Sequence, residues 1–148
     1  MRQLMDIAED ARRVKHAVAA LGTNDKNRGL LAIADALVSH ADEIIAANRI
    51  DIENGRANGL NEGLIDRLTL DEKRIAGIAE GCRQVAALPD PIGEVLWMRK
   101  TPNGLNIGQK RVPMGVIGII YEARPNVTVD AAALCFKAGS ACILRGVD

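Results

Sequence analysis

The sequence has almost no aromatic residues. Trp97, Tyr121 and Phe136 are the whole set in 148 residues, 2% of the composition. They are scattered, so nothing resembles the stacking platform of a single-strand nucleic-acid binder. There is no charge excess either: Lys+Arg number 19 and Asp+Glu number 19. A polyanion-binding protein carries a basic excess or patch, so nucleic acid is excluded as a main partner. Cysteine is sparse, with Cys82, Cys135 and Cys142 in no paired spacing. Neither a disulfide framework nor a zinc site is signalled, and a reducing cytoplasm is the simple reading. The longest apolar run, Met114–Tyr121, falls far short of the ~20 residues that span a membrane. The acidic opening MRQLMDIAED leads us to expect no signal peptide and no membrane partner.

Metal-ligand patterns are missing too. His16 and His40 fall on different predicted helices without companion ligands. Asp51-Ile52-Glu53-Asn54-Gly55 departs from a calcium loop, because its glycine comes one position early and the distal glutamate is missing. The phosphate-binding fingerprints GxGxxG and GxxxxGK[ST] do not occur, and Gly115-Val116-Ile117-Gly118 lies before or within a strand. Each cysteine sits in an apolar context that suits a small packed hydrophobe better than an activated thiolate.

What is present is helical periodicity followed by strands. Leu4, Ile7, Ala8, Ala11, Val14, Val18 and Leu21 share one helical face. Gly22–Asp25 breaks and recaps. Leu30, Leu31, Ala34, Leu37, Val38 and Ala41 make a second stripe, continued by Ile44, Ile45 and Asn48 after a bend near Ser39-His40. Asn54-Gly55 and Asn58-Gly59 are expected to close that segment. Thr69-Leu70-Asp71-Glu72 reads as a capping box, opening a helix with Ile75, Ile78, Ala79, Cys82, Val85 and Ala86 on one face. Pro89-Asp90-Pro91 stops it.

Glu94–Lys100 and Leu105–Val112 then read as two strands about the turn Thr101-Pro102-Asn103-Gly104. Val116–Tyr121 suits a buried strand, Val127–Ala138 a helix closed by Gly139, and Ala141–Arg145 another buried strand. The last three form one βαβ unit. Two parallel strands do not make a stable sheet alone, so the chain is expected to break off inside an α/β domain.

Tyr121-Glu122-Ala123-Arg124-Pro125-Asn126 carries the chemistry. It lies between a strand and a helix, where ligands of α/β sheets bind. The helix N-terminus offers free N–H groups to anions, Arg124 a fixed bidentate cation, and Asn126 a helix cap or an amide donor to an oxyanion.

Arg111–Leu134, RVPMGVIGIIYEARPNVTVDAAAL, resembles gamma-glutamyl phosphate reductase, also called glutamate-5-semialdehyde dehydrogenase, of the aldehyde dehydrogenase superfamily. Leu31–Leu37, Ile44–Asn48 and Val85–Val95 agree, so the resemblance runs along essentially the whole chain. It implies an aldehyde dehydrogenase-like α/β fold, incomplete here. Residues 1–93 would be the helical part, 94–112 a bridging and oligomerising hairpin, and 113–148 the start of a Rossmann-like NADP-binding domain. It also implies NADPH-dependent reduction of L-glutamyl 5-phosphate to L-glutamate 5-semialdehyde and phosphate, within proline biosynthesis in the cytoplasm. A cysteine thiolate would displace phosphate to give a thioester that accepts hydride.

By the same resemblance, Ile120, Tyr121, Glu122 and Arg145 would meet NADPH/NADP, Asn126 would be the oxyanion donor, and Arg124 would meet the substrate. The full-length protein would be a homo-oligomer and associate with glutamate 5-kinase. The nucleophilic cysteine matches none of the three here. Ser140 stands where asparagine is usual, and Val147 replaces the second glycine of Arg-Gly-Gly. These departures point to a truncation, frameshift or fragment boundary, and to a chain inactive by itself. Two other readings compete: a non-catalytic interaction module or pseudogene product that pairs through its hairpin, and a free-standing NADP-binding domain.

Overall fold

The computed structural model describes residues 4–122 and 124–146; Ala123 and Val147, named in the resemblance, lie outside them. Five helices come first: α1 (Leu4–Ala19), α2 (Thr23–Ser39), α3 (Ala41–Ala57), α4 (Glu62–Leu68) and α5 (Glu72–Ala87). An antiparallel hairpin follows, β1 (Val95–Lys100) and β2 (Asn106–Lys110). The chain then runs β3 (Val116–Tyr121), α6 (Pro125–Lys137) and β4 (Ala141–Gly146), with β3 and β4 parallel. This is the expected α/β order, with the βαβ unit in place.

The core forms where α2, α5 and α6 meet. Leu30, Ala34, Ala79, Cys82, Ala86 and Ala133 are buried together, with Leu37, Val85, Val129 and Phe136 packed against them. The small residues of both periodic stripes let the helices approach closely. The α1 stripe behaves differently. Only Ala11 is buried and Leu4 is 72% exposed, although α1 lies against β3 and β4. The strand expected to be buried, β3, is only half-buried, and Ile120 is 78% exposed. Among the described residues β3 pairs only with β4, so its other edge is uncovered.

Three helix boundaries differ from expectation. Asn54-Gly55 lies inside α3, and Asn58-Gly59 alone closes it, with Gly59 at φ +78°. Gly55 serves packing: a Cβ there would come within 2.9 Å of Leu60 Cδ1 and 3.2 Å of Ile65 Cδ1. The capping box at Thr69–Glu72 does not form. Asp71 is the N-cap of α5 and accepts from the Arg74 N–H at 2.6 Å, while the Thr69 hydroxyl donates backward to the Ile65 carbonyl at 2.7 Å. Thr69 is instead the C-cap of α4, a helix absent from the sequence reading. Its N-cap Asn61 accepts from the Leu64 N–H at 2.9 Å.

Gly139 closes α6 as expected. It sits at φ +66°, the Ser140 N–H reaches the Cys135 carbonyl at 2.9 Å, and the Gly139 N–H reaches Phe136 at 3.0 Å. This is a Schellman ending, for which a residue without Cβ is favoured. Ser140 is buried, and its hydroxyl accepts from the N–H groups of Met114 at 3.2 Å and Gly115 at 3.4 Å.

Two lysines are buried beside this core, Lys26 at 1% and Lys137 at 3% exposure. Lys26 Nζ lies 2.5 Å from Asp90 Oδ2 and donates to Oδ1 at 2.7 Å and to the Lys137 carbonyl at 3.2 Å. Lys137 Nζ donates to Asn27 Oδ1 at 2.6 Å and to the Ala86 carbonyl at 2.8 Å. Asp90 also accepts from the Thr23 hydroxyl and the Ile92 N–H. Burial pushes the Asp90 carboxyl up, but hydrogen bonds from Lys26, the Ile92 N–H and Thr23 outweigh it, and its pKa falls below the ordinary 3.8. Burial pulls Lys137 below its usual value, with Asp90 opposing.

Removing one partner of such a pair leaves a buried charge uncompensated. Asp90→Ala is therefore expected to cost about 3–5 kcal/mol in urea unfolding; a loss below about 1 kcal/mol would remove the pair as a main support. The depressed Asp90 pKa gives stability that is fully present above its unfolded value of about 3.9 and lost as pH falls through the lower folded value. Unfolding free energy should decline below about pH 4 in the parent and decline less steeply in Asp90→Asn.

Candidate functional site

The sequence places its polar block at the carboxyl end of β3. The structure adds the end of β4 beside it. Ile120 is in register with Arg145, and Tyr121 with Gly146. Three of the four residues expected to meet cofactor, Ile120, Tyr121 and Arg145, thus share one sheet end. Glu122 follows directly, exposed. The Tyr121 hydroxyl is 2.6 Å from Thr128 Oγ1, which ties the strand end to the first turn of α6.

Arg124 has the extended backbone that a following proline imposes, φ −132° and ψ 101°, and occupies the N-cap position without a side-chain cap. Pro125 is the first helical residue, where its missing N–H costs nothing. Asn126 is therefore inside α6 and does not cap it, which corrects one of its two expected uses. Its amide Nδ2 donates to Asp130 Oδ2 at 3.2 Å, one turn on. That bond orients the amide and leaves its second N–H for another acceptor.

Arg124 and Asn126 open onto a cleft of about 510 Å³ shared with α4 and α5. Its charged lining also includes Asp66, Arg67, Arg74 and Asp130. Arg74 is consumed by the fold: its guanidinium donates to the carbonyls of Asp66 and Thr69 and pairs with Asp66 Oδ1 at 2.8 Å. Arg67 was not singled out in the sequence. It belongs to α4, whose short apolar pattern carried no strong helical signal, and only the fold brings it to Arg124.

None of the three cysteines fits a nucleophile here. Cys82 and Cys135 are buried, and burial raises both thiol pKa values; Asp130 pushes Cys82 up further and Cys142 pushes Cys135. Cys135 also lies roughly 13 Å along the helix from Asn126 at 1.5 Å per residue. Cys142 pairs with Ile117, toward the opposite end of the sheet from Arg145.

The exposed Ile120 side chain and the adjacent Arg145 give an apolar surface and a cation side by side. That pairing suits a nucleoside bearing a phosphate. No helix among the described residues is long and apolar enough to cross a membrane.

No family model matches the chain. Curated relatives do. A gamma-glutamyl phosphate reductase of Halothermothrix orenii is 57% identical over 144 residues, covering 97% of this chain and 34% of its own length. That of Carboxydothermus hydrogenoformans is 56% identical over 146 residues, covering 99% and 35%. The crystal structure of the Thermotoga maritima gamma-glutamyl phosphate reductase superposes with a TM-score of 0.94 at 42% identity, over 98% of this chain and 35% of that one. The Saccharomyces cerevisiae protein gives 0.90 at 33% identity, over 100% and 38%. The chain spans about a third of the length of the curated relatives it matches. Through that span, in sequence and in backbone, it is a homologue of an N-terminal portion of the gamma-glutamyl phosphate reductases.

Proposed function

We propose that this polypeptide supplies the cofactor edge and the oxyanion side of an NADPH-dependent reductase of L-glutamyl 5-phosphate. The observation that carries this reading is the shared end of β3 and β4, with Arg145 beside Ile120 and the Arg124–Asn126 turn immediately after. When bound, NADPH would supply the hydride that reduces the thioester, formed as a cysteine thiolate displaces phosphate, to the semialdehyde. Ile120, Tyr121 and Glu122 would flank the dinucleotide, and Arg145 would take the adenosine ribose or its phosphate. Asn126 would donate its free amide N–H to the oxygen that becomes negative at the reacting carbonyl. Arg124 would hold the anionic substrate.

Residues 1–93 then form the helical support, 94–112 the arm that joins subunits, and 113–148 the opening of the cofactor domain. The hairpin suits an arm. Every residue of β1 and β2 is exposed, including Met98 at 67%, and the ribbon is held by its own ladder and by Trp97 Nε1 donating to Gln109 Oε1 at 2.9 Å. Such apolar surface on an uncovered ribbon marks an interaction site. A homo-oligomer and an association with glutamate 5-kinase in the cytoplasm complete this reading.

Two measurements test it. NADPH at about 100 times its dissociation constant should stabilise the chain by about 2.7 kcal/mol, read as a rise in Tm, and Arg145→Gln should remove most of that rise; an unmoved Tm at millimolar NADPH counts against the cofactor edge. For the chemistry, this chain can be joined to the remaining two thirds of the Halothermothrix orenii reductase. The hybrid should turn over and the chain alone should not. Asn126→Ala in the hybrid should lower kcat about 10²–10³-fold with little change in KM, the usual effect of losing one oxyanion donor. A variant as fast as the parent hybrid would sink the role of Asn126.

A further inference from the structure

The cleft between α4, α5 and the start of α6 contains a feature that the reading above leaves unused. Of its three arginines, Arg74 is locked into backbone carbonyls and Asp66. That contact also neutralises Asp66. The other lining carboxylate, Asp130, is engaged by Asn126. Arg67 and Arg124 remain. Both are exposed, and neither guanidinium has a hydrogen-bond or ion-pair partner among the described residues. They come from separate elements, the last turn of α4 and the residue before α6, and converge on one cleft. Three arginines line the cleft against two carboxylates, Asp66 and Asp130, and the neutral Asn126 amide leaves the Asp130 charge in place, so the lining carries a net charge of +1. The N–H groups at the start of α6 add to it. Leu70 and Ile78 line the same wall and give a short carbon chain an apolar surface. At about 510 Å³ the cleft has the size of a small-molecule site.

We propose that Arg67 is a specificity-determining residue which, with Arg124, clamps an anionic group of the substrate, a carboxylate or a phosphoryl. This rests on the reductase reading for the identity of the substrate, but not for the binding itself. The planar guanidinium fork matches both anions in a bidentate manner, whereas an ammonium meets them as a point charge. Arg67 would therefore discriminate among small acids by geometry as well as by charge.

The test is an amide-resolved NMR titration of this chain, at low ionic strength, with inorganic phosphate and with L-glutamate in separate experiments. We expect at least one probe to shift the amides of residues 66–78 and 124–130, and the probe that does so names the group held. Arg67→Gln should weaken that binding at least tenfold and Arg67→Lys should recover only part of it, with the urea midpoint unchanged because the side chain has no partner to lose. Neither probe shifting those amides, or Arg67→Gln binding as the parent does, overturns the proposal. The two readings fail separately. NADPH without effect on Tm leaves the clamp standing and removes the reductase edge. A cleft that ignores both anions, in a chain that NADPH stabilises, does the reverse.

Discussion

The ion pair between Lys26 and Asp90 holds together parts of the chain that share no secondary structure. Lys26 is in the first turns of α2, Asp90 in the Pro-Asp-Pro corner after α5, and the Lys137 carbonyl it also reaches is the end of α6. The Lys137 amine continues the link to Asn27 and to the last turn of α5. Each buried charge has hydrogen-bond partners, and no buried side-chain polar atom among the described residues lacks one. A network of this kind adds little net stability over a well-packed apolar one, but it is costly to break and so fixes relative placement.

That placement matters because α6 is anchored at one end only by such contacts. Its C-terminal end carries Lys137, the Schellman glycine and the buried Ser140 hydroxyl. Its N-terminal end carries the polar turn and opens on the cleft. A helix fixed at its far end by buried hydrogen bonds, and along its length by Ala133 and Phe136 against α2 and α5, presents its first turn at a set position. Precise presentation from a rigid element is what an oxyanion donor or an anion clamp requires. The hairpin is the opposite case. It carries its own ladder, contributes no buried residue, and is free to serve a surface.

Much of this was legible. The stripe from Ile75 to Ala86 buried where its 3.6-residue spacing said, and Pro89–Pro91 ended it. The hairpin and the βαβ unit formed with boundaries within two residues of expectation, because turn chemistry at Asn103-Gly104 and Gly139 is local. Other features were not legible. Asn54-Gly55 looked like a stop, yet Gly55 is a helical position kept small by the side chains of α4's neighbourhood. Thr69 read as the cap of α5, but α4 ends on Thr69 and Asp71 caps α5 instead. Asn126 could cap or donate, and proline at the first helical position settled that it lies inside the helix.

By itself, the sequence determined the order and type of the elements other than α4. Period, punctuation and capping act over a few residues and need no partner. It also determined the Tyr121–Asn126 block, since that block is contiguous. Only the tertiary structure decided that Arg145 stands beside Ile120, that Arg67 shares a cleft with Arg124, and that Lys26 and Lys137 are buried rather than solvated. Those facts join residues between 25 and 111 positions apart. No local propensity records such a distance; the pairing of β3 with β4 and the packing of the helices bring them within reach.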